Sequence, residues 1–171
     1  MNLHLTRAGK ALQLVGIAVR LGTAIDTAYG REILAPGAFR NGVVGSVAAL
    51  WSERVLGRVR ASTMRVSEIN GQLRYSIDLP ATQFAADLVN LVETGAVRGV
   101  DIGMAVLEDA WSTENGVRIR TVKRAQLRAL VVTPFERPGS TVAVQAVDAS
   151  RSAHWRTDLR RRRLELERQS R

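Results

Sequence analysis

The sequence predicts a small α+β barrel. Three observations predict it: several short apolar segments suited to strands, two Asn-Gly hairpin signals, and one stretch with the 3.6-residue period of an amphipathic helix. With 171 residues, 46% of them hydrophobic, the chain fits one domain that can fill a core and still leave a tail outside it.

The elements follow in order. Residues 12–19 (Leu-Gln-Leu-Val-Gly-Ile-Ala-Val) read as a strand, and Gly22 marks a turn or bulge after it. Glu32-Ile33-Leu34 is a short second strand. Pro36-Gly37 stops it, because proline cannot donate to a ladder and glycine relaxes the backbone. Residues 43–51 are apolar enough for a buried strand, and 56–67 alternate less cleanly before reaching Asn70-Gly71. Asn-Gly is a hairpin signal because both central residues of a type I′ turn need positive φ. Leu73, Tyr75, Ile77 and Leu79 then alternate with polar residues as in a half-buried strand.

The period changes at Phe84, Leu88, Leu91 and Val92, which form the stripe of a helix over about residues 81–94, with Pro80 near its start and Gly95 placed to end it. Val100, Ile102, Met104 and Val106 alternate again. Asn115-Gly116 predicts a second hairpin between residues 108–111 and 117–120, and residues 127–133 and 141–147 complete the set of strands. Trp51 and Trp111 are expected to serve as core or rim packing.

The composition excludes several kinds of chemistry. With no cysteine there is no disulfide framework, thiolate nucleophile or cysteine-built zinc site. No apolar run approaches the roughly 18 residues of a membrane helix, and the N-terminus lacks a signal-peptide pattern, so a cytosolic chain without membrane partners is expected. The net charge of +9 is unevenly placed: from 151 to 171, eight arginines against Asp158, Glu165 and Glu167 leave a surplus of +5. The expected organisation is a domain over 1–148 and an Arg-rich tail over 149–171, disordered or marginally helical. The run Arg160, Arg161, Arg162 and Arg163 is most often a solvated feature. It is also the candidate contact for nucleic acid or an acidic scaffold, although only Trp155 supplies an interleaved aromatic.

Four segments in order carry a resemblance: residues 30–39 (Gly-Arg-Glu-Ile-Leu-Ala-Pro-Gly-Ala-Phe), 50–53 (Leu-Trp-Ser-Glu), 99–104 (Gly-Val-Asp-Ile-Gly-Met) and 131–134 (Val-Val-Thr-Pro). A fifth is Leu79-Pro80, the helix, and Gly95-Ala96-Val97-Arg98-Gly99 leading into the third. Together, over about residues 14–147, they resemble the prohead proteases of HK97-type tailed phages. The resemblance implies a mainly antiparallel β-barrel with flanking helices, similar to herpesvirus assembly proteases. It also implies a place in or on the procapsid in the host cytoplasm, and a major capsid or scaffold protein as partner, with a homo-oligomer as a further expectation. No cofactor and no metal are implied.

That family's second segment usually reads Leu-Trp-x-His-Asp and its third Gly-x-Ser-Ile-Gly-Phe. Here the base position is Glu53, or a gap in a shortened loop. The nucleophile position is Asp101 and the acid position Arg128. A serine hydroxyl needs an imidazole to take its proton and a third group to orient that imidazole. The only histidines are His4 and His154, so sliding the alignment restores none. Ser52, Thr133 and Ser140 are hydroxyls expected near the site, each still needing a base, which only His4 or His154 from a terminus could supply as imidazole. A Glu53–Asp101 pair sharing a proton or a divalent ion is a second option, which the charge of Arg128 opposes. The favoured arrangement is a salt-bridge cluster of Glu53 and Asp101 around Arg128. The family is one of serine endopeptidases, and these substitutions point to a chain that has lost the activity and serves head assembly. An atypical active endopeptidase and a basic nucleic-acid-binding protein are the rival readings.

Overall fold

The computed structural model describes residues 5–28 and 30–148. The strands are β1 (Thr6–Arg7), β2 (Lys10–Arg20), β3 (Ala24–Thr27), β4 (Gly30–Leu34), β5 (Ala48–Trp51), β6 (Arg54–Arg58), β7 (Met64–Ile69), β8 (Gln72–Asp78), β9 (Gly99–Glu114), β10 (Val117–Thr133) and β11 (Ala143–Val147), with α1 (Gln83–Glu93) between β8 and β9. The protein is mainly β.

Two sheets share one core. In the first, antiparallel throughout, β2 pairs with β1, β8 and β11, and β8 continues to β7. In the second, β10 is the spine. One edge pairs antiparallel with β9 along the whole strand, and the other pairs parallel with β4 at Ile119–Val122 and with β5 at Ala129–Val131. Leu14, Leu73 and Ile77 of the first sheet and Val122, Leu127 and Leu130 of the second are fully buried, with Leu88 of α1 among them.

This corrects the expected barrel. Among the described residues no strand is hydrogen-bonded into both sheets, so the two do not close into a ring. Among the described residues the flanking helices reduce to α1 alone, and the second sheet is mixed rather than antiparallel. The segments expected as separate strands at 117–120 and 127–133 are one continuous strand, whose register against β9 shifts around Arg124 and between Leu127 and Ala129. Those bulges interrupt the two-residue period that would have joined the segments.

The helix forms where expected. Thr82 caps it, its hydroxyl accepting from the Ala85 N–H at 3.2 Å, and Gly95 ends it at φ +75°. Both Asn-Gly turns hold positive φ at both residues. The Pro36-Gly37-Ala38-Phe39 segment does more than stop β4. Its turn runs along β10 in the gap between β4 and β5, and the carbonyls of Ala38 and Gly42 each accept at 2.9 Å from the N–H groups of Ala125 and Leu127. Phe39, 2% exposed, is anchored in the core beneath it.

Candidate functional site

Trp51 ends β5 and Arg54 begins β6, with Ser52 and Glu53 as the two turn residues between them. Both are left-handed, at φ 47° and 65°, and both are exposed. Trp51 stacks on Phe84 of α1 with ring centroids 4.7 Å apart, and the Arg54 guanidinium lies 5.2 Å from the Phe84 centroid. The helix therefore fixes this hairpin through the tryptophan, as the packing role expected for Trp51 requires. Trp111 instead is half exposed on β9, under the guanidinium of Arg118 at 4.4 Å.

Glu53 makes no ion pair among the described residues. A left-handed backbone costs a residue with a Cβ roughly 1–2 kcal/mol, and glycine's extra chain entropy returns part of that. Glu53→Gly is therefore expected to raise stability by roughly 0.5–1 kcal/mol, read by denaturant unfolding. A loss of stability would mean that the carboxylate holds a structural contact.

Asp101 lies near the start of β9, opposite Val131 of β10, which in turn pairs with Leu50 of β5. The backbones of Asp101 and Leu50 thus stand two strand spacings apart, roughly 10 Å, with β10 between them, and Glu53 lies three residues beyond Leu50 in the turn. The Asp101 carboxylate is held from the other side. Oδ2 accepts from Arg137 Nε at 2.8 Å and from Nη2 at 2.6 Å. Arg137 belongs to the loop after β10, and that loop is fastened to β9 at successive residues. Arg98 pairs with Glu136 at 3.2 Å, Gly99 lies under the Phe135 carbonyl, and the Val100 N–H donates to Ser140 Oγ at 3.2 Å.

Arg128 does not gather the two carboxylates. It sits exposed at the second bulge of β10 and has no ion-pair partner among the described residues. The expected cluster around Arg128 is thus replaced by an Asp101–Arg137 pair. Val131 is the residue opposite Asp101, so Arg128 lies three residues back along β10, roughly 10 Å away, while the loop folds Arg137 back onto Asp101. No local signal in the sequence marked Arg137, whose partner lies 36 residues earlier.

Ser140 and Thr133 do come close to Asp101's strand, and both hydroxyls accept from backbone N–H groups, Ser140 from Val100 and Thr133 from Phe135 at 3.3 Å. Ser52 stands at the tip of the β5–β6 turn. Between His4 and His154 the chain has no imidazole. These two histidines, the tail from 149 and the Arg160–Arg163 run lie outside the described residues.

The far end of the loop is pinned to the first sheet. Thr141 exchanges two bonds with Ile17, and the buried Tyr75 hydroxyl donates to the Thr141 carbonyl at 2.9 Å. Burial pushes the Tyr75 phenol above its ordinary 10.0. A pKa higher in the folded than in the unfolded chain means that this stabilisation is complete below about pH 10 and is lost as pH rises further. Tyr75→Phe is expected to cost about 1 kcal/mol at pH 8 through the lost hydrogen bond. The gap to the parent should narrow above pH 10, as urea midpoints from pH 8 to 11 would show.

At the position expected for a nucleophile stands a partly exposed carboxylate paired with a guanidinium, and at the position expected for a base stands an exposed turn. A family model described as caudovirus prohead serine protease matches residues 5–154. No match emerged among curated proteins or among solved structures.

Proposed function

The chain belongs to the caudovirus prohead serine protease family, and from that premise we propose that it works in phage head assembly as an HK97-type member without serine peptidase chemistry. In this reading it acts by binding capsid or scaffold protein in the procapsid. One observation carries the reading: Asp101, at the position expected for the nucleophile, is engaged by Arg137 from a loop that is itself fastened along β9. A serine peptidase needs a hydroxyl and an imidazole within hydrogen-bond reach of each other, and the segment from Leu5 to Asp148 contains no histidine. The scaffold persists around the replaced groups, so what it offers a partner is its surface.

A fluorophosphonate probe, which labels activated serines covalently, tests this. No labelling is expected in the presence of capsid protein. Stoichiometric labelling at Ser52 or Ser140, located by peptide mass, would establish a rebuilt serine site and overturn the proposal.

A further inference from the structure

We infer that the cavity between the 36–41 turn and the bulged stretch of β10 is a binding site for a phosphate-class oxyanion. The cavity, of about 270 Å³, is lined by Arg40, Asn41, Lys123 and Arg124 with Glu108 and the backbone of the Gly37 turn. Three cations meet one carboxylate there. None of the three has an ion-pair partner among the described residues.

Two features of the backbone bring these charges together. In a regular strand, consecutive side chains point to opposite faces. Lys123 and Arg124 are consecutive and line the same cavity, and the register of β10 against β9 shifts where they lie. A bulge re-aims a side chain in this way and is common beside binding sites. Opposite them, Gly37 adopts φ +89°, and the Arg40 guanidinium folds back over it, with Nη2 3.6 Å from where a Cβ would stand. The Gly37 N–H is meanwhile taken by Glu68 Oε1.

Like charges gathered in one concavity repel each other until an anion enters. An oxyanion with several acceptor oxygens suits two guanidinium groups, an ammonium and the Asn41 amide. The volume accommodates a tetrahedral oxyanion with bound water. Glu108 is seven residues from Asp101 along β9, roughly 20 Å, so this site is separate from the degenerate peptidase position and does not depend on its reading. The oxyanion has two sources, free phosphate and the phosphodiester of a nucleic acid.

The test is a titration of the full chain, at constant ionic strength, with inorganic phosphate and separately with a short oligothymidylate, followed by amide NMR shifts at Gly37, Arg40, Lys123 and Arg124. Saturable shifts at these amides are expected, weakened about tenfold or more in an Arg40→Gln, Lys123→Gln variant that has lost two charge-assisted donors. Saturation with phosphate alone assigns the site to a free anion. Saturation with the oligonucleotide at the same amides assigns it to a nucleic-acid backbone. Shifts that fail to saturate with either probe, or that persist unchanged in the double variant, would overturn the site.

Discussion

Gly99→Ala is expected to destabilise the protein by about 3 kcal/mol and lower its melting temperature by roughly 10 °C. A Cβ at this position would lie 2.2 Å from the Phe135 carbonyl oxygen and 3.3 Å from the Arg137 nitrogen, both backbone atoms. Neither can rotate away as a side chain can, so the loop must lift from β9 or the start of β9 must move. Either shift disturbs the Val100–Ser140 and Asp101–Arg137 contacts together. Arg137→Ala makes the comparison informative. That ion pair is close to half exposed on both sides and is screened by solvent, so its loss should cost less than about 1 kcal/mol. A Gly99→Ala protein as stable as the parent would show that the loop is not seated on β9.

Phe39→Ala should cost about 3–5 kcal/mol, the range for emptying an aromatic site in a packed core. Phe39 is 2% exposed, and the turn that carries it fills the gap between β4 and β5 along β10. The cavity would therefore open beneath the segment that gives that edge its continuity. Urea unfolding read by tryptophan fluorescence would measure the loss. A cost under about 1 kcal/mol would mean that the Pro-Gly-Ala-Phe motif is held by its backbone bonds alone. The motif is thus accounted for by folding, with Glu32 at its head paired across the sheet to Arg120, itself bound to Asp109 at 2.6 Å.

Parts of this architecture were legible in the sequence because local chemistry determines them. Asn70-Gly71 and Asn115-Gly116 require left-handed backbone, and the stripe from Phe84 to Val92, with Pro80 near its start and Gly95 at its end, specifies a helix. The Ser52-Glu53 turn was not legible, since neither residue favours positive φ and the pairing of β5 with β6 imposes it. The unity of β10 was hidden by its bulges, and the division into two sheets depends on pairings distant in sequence, which no local period encodes. The candidate site divides in the same way. Asp101 and Glu53 were legible from motif order as the expected nucleophile and base positions. Their true surroundings were not, because Arg137 reaches Asp101 only through the fold of a loop, and the strand register sets Val131, three residues from Arg128, opposite Asp101.

Co-expression with the cognate major capsid protein, followed by intact-mass analysis of both chains in assembled heads, tests the central claim most directly. Full-length masses for both, with the chain retained in heads, are the predicted result. Discrete truncation of either chain, abolished by an Asp101→Ala, Glu53→Ala double variant, would contradict it and establish a peptidase built on carboxylates.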